Sequence, residues 1–147
     1  MSLTAGLLRP SETLFEYGNG ASFYFYGKLR PTTPTLWSSH LLPETPLGRE
    51  LTEVTLSRLK QRPPDLFVAD RSWTERPQPP PAKPGLAVRL LAPPTEPELA
   101  WTQSPVYLWA LENYRPWTQD AHLAVQSPHY QLLVRRGSDL ERRLASN

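Results

Sequence analysis

The sequence predicts a single α/β domain: a small, Rossmann-like three-layer sandwich with a mostly parallel sheet and an antiparallel hairpin near its C-terminal end. A chain of 147 residues can enclose one hydrophobic core but hardly two. Short β-type and helical patterns alternate through the first half in the order β-α-β-α-β. The strand Leu66–Ala69 is apolar throughout, which is typical of a strand inside a sheet that helices cover on both faces.

Proline usage divides the chain. There are 18 prolines, and eight of them lie between Pro77 and Pro97, where they disfavour sheet pairing and favour a polyproline-type spacer. We therefore divide the single soluble domain, residues 1–147, into four parts: a β-α-β-α-β half at 11–72, a proline-rich spacer at 75–97, a helix plus hairpin at 98–136, and a tail at 137–147.

The first elements are short. Thr13–Tyr17 has the composition of a strand, and Gly18–Gly20 closes it as a turn that tolerates positive φ angles. The four consecutive aromatic residues Phe23–Tyr26 predict either one helical turn or a short strand. Prolines on both sides limit Thr35–Trp37 to a short extended segment.

Two helices begin with the same signal, a capping residue followed by proline. Thr45 and Pro46 open the first, and Pro63 ends it. Its predicted apolar positions recur at helical spacing: Leu47, Leu51, Val54 and Leu59. Ser104 and Pro105 open the second helix, which runs to about Tyr114 with Val106, Trp109, Ala110 and Asn113 along one face.

The C-terminal part contains two further strand candidates, His122–Gln126 and Tyr130–Arg135. The turn Ser127–Pro128 between them predicts an antiparallel hairpin. The basic pairs Arg135–Arg136 before the tail and Arg142–Arg143 within it are diluted by acidic residues, which indicates a solvated end or a weak attraction to anionic lipid headgroups.

Composition excludes several function classes. The absence of cysteine rules out disulfides and thiolate zinc sites, and the three histidines form no ligand-spaced pair, so we predict no metal and no cofactor. The net charge of +2 is spread evenly, which gives no basic face for nucleic acid. The longest apolar run, Val106–Leu111, is far shorter than the roughly 20 residues that span a bilayer. No signal peptide is apparent in the given chain.

A ligand site is predicted where the first strand and the strand Leu66–Ala69 end, because open α/β sheets bind ligands at the carboxyl ends of their strands. The candidate residues are Tyr17, Gly18, Asn19, Tyr24 and Asp70. Asp70 could instead cap the turn that follows it. The glycines lack the full pattern of a nucleotide-binding loop. No catalytic residue is assigned.

Several motifs in this order resemble those of one family. A strand that ends in Tyr17–Asn19 leads through an aromatic-rich turn to Tyr26–Pro31 (YGKLRP). The later motifs are Arg62–Val68 (RPPDLFV), Leu111–Tyr114 (LENY) and Tyr130–Arg136 (YQLLVRR). Together, over about residues 12–136, they resemble the soluble C-terminal domain of bacterial polytopic glycosyltransferases of the dolichyl-phosphate-mannose mannosyltransferase type.

The resemblance implies a non-catalytic accessory domain at the periplasmic face of the inner membrane. Its partner would be the membrane-embedded portion of the same polypeptide, and it would contact lipid-linked sugar or a glycan acceptor. The family's catalytic acid lies in a loop between early membrane helices, so no catalytic residue is transferred to this chain.

Two alternative functions remain open. One is a stand-alone interaction module that uses its aromatic surface or the spacer, whose Pro77–Pro80 and Pro81–Pro84 fit the P-x-x-P pattern. The other is a small α/β enzyme with a pocket lined by Asp70 and His40.

Overall fold

The computed structural model describes residues 7–18, 23–24, 28–29, 31–33, 41, 45–74, 102–117 and 130–146, without the side chains of 72 and 73. Its strands are β1 (Leu14–Tyr17), β2 (Leu66–Asp70), β3 (Tyr114–Pro116) and β4 (Tyr130–Arg135). Its helices are α1 (Pro46–Gln61), α2 (Arg71–Thr74), α3 (Pro105–Asn113) and α4 (Asp139–Ala145). The predicted segments Thr35–Trp37 and His122–Gln126, the spacer 75–97, His40 and Asn19 lie outside the described residues.

The four strands form one mixed sheet in the order β1-β2-β4-β3. β1 pairs with β2 in parallel, whereas β4 pairs antiparallel with both β2 and β3. The prediction of an α/β chain is confirmed, but the prediction of a mostly parallel sheet is wrong. Among the described strands, β1, β2 and β3 run in one direction and β4, which lies between β2 and β3, runs in the other, so two of these three strand pairings are antiparallel. The strand Tyr130–Arg135 is confirmed, but it lies inside the described sheet and not at its edge.

One face of the sheet carries the larger core. Every second residue of each strand points to this face. The apolar strand residues that do so are Phe15, Tyr17, Phe67, Ala69, Tyr114 and Leu133. They pack against buried residues of the two longer helices, which are Leu59 of α1 and Val106, Tyr107 and Ala110 of α3. This burial of aromatic and aliphatic surface holds α1 and α3 against the sheet.

The opposite face is covered by a second apolar cluster. Its strand residues are Leu14, Leu66, Val68, Leu132 and Val134. Over them pack Phe23 and Tyr24, whose backbones are helical, together with Leu140 of α4. The segment interpreted as a tail therefore contains a helix with a fully buried leucine. The segment does carry a helix start signal, because the Ser138 hydroxyl accepts a hydrogen bond from the Glu141 amide at 3.1 Å.

Helix α1 begins as predicted, since the Thr45 hydroxyl accepts a hydrogen bond from the Gly48 amide at 2.9 Å and Pro46 occupies the first turn. Its buried face differs from the prediction, because it consists of Gly48, Thr52, Thr55 and Leu59. Thr52 can face the core because its hydroxyl has acceptors there, the Gly48 carbonyl at 2.7 Å and the Leu41 carbonyl at 3.0 Å. Leu47 and Val54 are consequently left 63% and 43% exposed.

Helix α3 buries Val106, Tyr107 and Ala110 and ends where Tyr114 enters β3. Leu108 and Leu111 are exposed, as is the predicted face residue Asn113. Within the described ranges, no helix is both long enough and apolar enough to cross a bilayer.

Candidate functional site

The predicted site lies where β1 and β2 end, on the face covered by Phe23 and Tyr24. Because Tyr17 pairs with Ala69 in the parallel ladder, Gly18 lies beside Asp70. The structure therefore brings Gly18 and Asp70 together as the sequence predicted. Asn19 is not among the described residues.

Gly18 is in close contact with two carboxylate side chains. A Cβ atom placed on Gly18 would lie 2.6 Å from Glu16 Oε1, 2.9 Å from Asp70 Cβ and 3.6 Å from Asp70 Oδ2. Both carboxylates are thus within a few ångströms of one point. Glycine is required here because any larger side chain would occupy the space that Glu16 and Asp70 fill.

Tyr24 lies behind these carboxylates. Its hydroxyl oxygen accepts a hydrogen bond from the Glu16 amide at 2.9 Å, in a buried environment. Burial raises the pKa of Tyr24 well above its usual range, and the negative charge of Glu16 adds to this effect. The Tyr24 hydroxyl therefore keeps its proton and remains a neutral hydrogen-bonding group.

Tyr17 is placed on the other face of the sheet. Its ring stacks on Tyr107 of α3 with a centroid distance of 5.7 Å, and it is fully buried. Burial raises the pKa of Tyr17 strongly. The structure thus gives Tyr17 a place in the core with α3, away from Gly18 and Asp70.

Tyr130 joins the site although the sequence analysis did not select it. It is the residue of β4 directly opposite Asp70 in the antiparallel ladder. Its ring meets Phe23 edge to face at 4.8 Å, and its carbonyl accepts from Arg71 Nε at 3.2 Å. Partial burial raises the pKa of Tyr130, and the charges of Asp70 and Glu16 raise it further. Tyr130 therefore lies in the electrostatic field of both carboxylates.

Glu16 is the second site residue that the sequence analysis did not select, although the sequence contains an indication of its role. A glutamate inside an otherwise apolar strand is unusual, and the alternation of β1 places it on the same face as Gly18. Its side chain is almost fully buried, with a relative exposure of 1%. Tyr130 left no comparable signal, because its position depends on the register of β4 against β2.

We refer to Glu16, Asp70, Tyr24 and Tyr130 as the carboxylate–tyrosine cluster. Asp70 and Tyr130 are half-buried and form its accessible part, whereas Glu16 and Tyr24 are buried behind them. Carboxylates accept hydrogen bonds from hydroxyl or ammonium groups, and a tyrosine adds a hydroxyl and a ring face. Among the described residues, no group of three or more acidic or histidine side chains is arranged to hold a metal ion.

The opposite end of the sheet contains a charged cleft of about 350 Å³ near the starts of β1 and β2. Asp65 Oδ1 accepts from Arg135 at 2.7 Å, and Asp65 Oδ2 accepts from the Thr13 amide at 3.0 Å. Two further ion pairs lie nearby, Arg143 with Glu12 and Arg142 with Asp139. Arg135 and Arg142 in the lining of this cleft are paired with carboxylates, so the cleft holds the chain together and is a weaker ligand site.

Comparison with protein-family models, with curated proteins and with solved structures finds no match for this chain. The functional interpretation therefore depends on the geometry of the carboxylate–tyrosine cluster and on the order of motifs in the sequence.

Proposed function

We propose that this chain is a non-catalytic accessory domain of a bacterial membrane glycosyltransferase that uses polyprenyl-phosphate-linked sugar, and that it holds the glycan acceptor. The proposal places the domain at the periplasmic face of the inner membrane, next to the membrane-embedded portion of the same polypeptide. The order of the sequence motifs supports the family, and the carboxylate–tyrosine cluster supports the binding role.

The observation that carries the binding role is the pairing of Asp70 with Tyr130. These two half-buried side chains are directly opposite each other on neighbouring strands, with the carboxylate of Glu16 close behind. Sugars present adjacent hydroxyl groups, which donate to a carboxylate, and a C–H face, which packs on an aromatic ring. A carboxylate beside a tyrosine supplies both kinds of contact.

The charge of the cluster favours the acceptor over the donor. Glu16 and Asp70 lie close to one point, so an anionic group that enters the site meets repulsion from two carboxylates, which the single guanidinium of Arg71 on the Tyr130 carbonyl offsets only in part. A polyprenyl-phosphate sugar carries such an anionic group, whereas a neutral glycan does not. We therefore expect neutral, hydroxyl-rich acceptors to bind here.

Removal of the domain from the full-length enzyme tests the accessory role. We expect glycosyl transfer to fall or the choice of acceptor to change, because the domain would no longer hold the acceptor beside the membrane. A full-length Asp70→Asn variant should alter acceptor use in the same direction, while Asp139→Asn, which changes an exposed carboxylate elsewhere, should not. Unchanged activity and unchanged acceptor choice after removal of the domain would contradict the proposal.

A second candidate function is that of a protein-interaction module. Four large apolar side chains are exposed on the two longer helices: Leu47, Val54, Leu108 and Leu111. Exposed apolar groups of this kind can form part of a protein-binding surface.

The parent gene distinguishes the candidate functions, because an upstream reading frame with many apolar 20-residue segments favours the transferase. Turnover of a substrate by the isolated chain would instead favour a small α/β enzyme.

A further inference from the structure

A groove of about 620 Å³ runs along the outer side of α1, and Thr32 forms part of its facing wall. The neighbouring Pro31 forms a parallel bridge with Leu14, which fixes this wall against the edge of β1. The groove has the volume of a small-molecule site, for which the usual range is roughly 300–1,000 Å³. It does not include any residue of the carboxylate–tyrosine cluster.

Two guanidinium groups line this groove without a partner among the described residues. Arg58 and Arg62 are four positions apart, so both lie on one side of the helix end. Neither side chain makes an ion pair or hydrogen bond there, in contrast to Arg135, Arg142 and Arg143 of the charged end of the molecule. Two adjacent unpaired guanidinium groups are suited to bind an oxyanion through paired N–H donors.

Neutral donors complete the lining. Ser57 Oγ accepts a long hydrogen bond of 3.5 Å from Gln61 Nε2, which leaves the Ser57 hydroxyl proton available. The Thr32 hydroxyl oxygen is buried in the facing wall and does not face the ligand space. The Ser57 hydroxyl and the second amide proton of Gln61 can donate to those oxygens of an anion that the arginines do not contact.

Glu53 is the one carboxylate in this lining. It repels a second anionic group but accepts hydrogen bonds from hydroxyls. The groove therefore suits a ligand with one phosphate group on a hydroxyl-bearing carrier better than a polyphosphate or a nucleic acid.

We propose that the α1 groove is a binding site for a phosphate monoester, with Arg58 and Arg62 on the phosphate and Glu53 on the hydroxyl groups of its carrier. This inference does not rest on the proposed function, because the groove shares no residue with the carboxylate–tyrosine cluster and binds its ligand through arginines instead of carboxylates. The phosphate could belong to a soluble sugar phosphate or to a lipid headgroup, since both present the same group to the arginines.

Calorimetric titration of the purified chain with glucose 1-phosphate at low ionic strength tests the soluble form. We expect saturable binding that is tighter than binding of inorganic phosphate, while glucose alone does not bind measurably. Arg58→Ala with Arg62→Ala should weaken the affinity on the order of tenfold or more, because two charge-assisted contacts are lost. Cosedimentation with phosphatidylcholine vesicles that contain phosphatidic acid tests the lipid form.

The matched control is Arg49→Ala with Lys60→Ala, which removes the same charge from exposed α1 positions outside the groove. We expect this control to change the affinity by less than about twofold, apart from weak long-range electrostatics. The double variant Arg58→Lys with Arg62→Lys keeps the positive charges but loses the paired N–H donors. Its affinity should therefore lie between that of the wild-type chain and that of Arg58→Ala with Arg62→Ala. Two results would overturn the proposal. One is an equal loss of affinity in the two double-alanine variants, and the other is a wild-type chain that binds neither glucose 1-phosphate nor phosphatidic acid vesicles saturably.

Discussion

The two ends of the sheet use carboxylates in different ways. At the end where β1 and β2 begin, both oxygens of Asp65 are occupied, one by Arg135 and one by the Thr13 amide. At the end where they finish, Glu16 and Asp70 surround Gly18. The first arrangement ties three strands together, since Asp65 precedes β2, Thr13 precedes β1 and Arg135 ends β4. The second places a half-buried carboxylate beside a half-buried tyrosine, an arrangement to which we assign the proposed binding role.

The largest expected effect on the free energy of unfolding comes from high pH, because buried tyrosines lie near both ends of the sheet. Burial raises the pKa of the three buried tyrosines Tyr17, Tyr24 and Tyr114 well above the usual value near 10, and it raises the pKa of the half-buried Tyr130 in the same direction. Above about pH 10 the unfolded chain releases the protons of the three buried tyrosines while the folded chain retains them. The free energy of unfolding should therefore fall by about 4 kcal/mol per pH unit above that point. Urea unfolding followed by circular dichroism between pH 8 and 11 measures this slope.

Tyr114→Phe is the internal control for the pH effect. It removes one of the three protons, so the slope should fall by about one third. At pH 7 it should cost about 1–3 kcal/mol, because the buried Pro64 carbonyl loses the hydrogen bond of 2.6 Å that the Tyr114 hydroxyl donates. A slope that Tyr114→Phe leaves unchanged would show that other groups control the alkaline unfolding.

The next largest effect should come from Asp65→Ala. This variant leaves Arg135 without its carboxylate and the Thr13 amide without its acceptor. We expect a loss of about 2–4 kcal/mol in the free energy of unfolding, measured by urea denaturation. Asp139→Asn is the control, because its ion pair with Arg142 is exposed and should leave the midpoint unchanged. Equal shifts in the two variants would contradict the structural role of Asp65.

A pair of glycine variants separates stability from binding. Gly18→Ala forces Glu16 or Asp70 to move, at a cost of about 1–3 kcal/mol. Gly137→Ala meets no atom within 4 Å, but its φ of 75° makes alanine unfavourable by about 1–2 kcal/mol. We expect both variants to lower the thermal midpoint, while only Gly18→Ala weakens glycan binding. Comparable glycan affinities in both would indicate that the geometry around Gly18 is not used for binding.

The sequence predicted those features that depend on local signals. Thr45 and Pro46 marked the start of α1, and the apolar run before Asp70 marked β2. It did not predict the place of β4, because the composition of a strand does not specify its neighbours. Tyr130 was missed for the same reason, since only the antiparallel register brings it opposite Asp70.

The buried face of α1 shows a second limit. Hydrophobicity alone favoured Leu47 and Val54 as core residues, yet the core contains Thr52 and Thr55. Thr52 can be buried because its hydroxyl lies 2.7 Å from the Gly48 carbonyl one turn earlier and 3.0 Å from the Leu41 carbonyl of a separate segment. A count of apolar positions at helical spacing does not take account of such partners.

The smallest expected effect on stability, and the most informative about function, comes from Asp70→Asn. We expect this variant to unfold close to the wild-type midpoint, because Asp70 is only half-buried at the end of its strand. Titration of the isolated chain with neutral acceptor glycans, followed by tryptophan fluorescence, is the direct measurement. The proposal predicts saturable binding that Asp70→Asn weakens by about tenfold and Asp139→Asn leaves unchanged. A flat titration of the wild-type chain, or equal binding by both variants, would contradict a glycan-binding role for the carboxylate–tyrosine cluster.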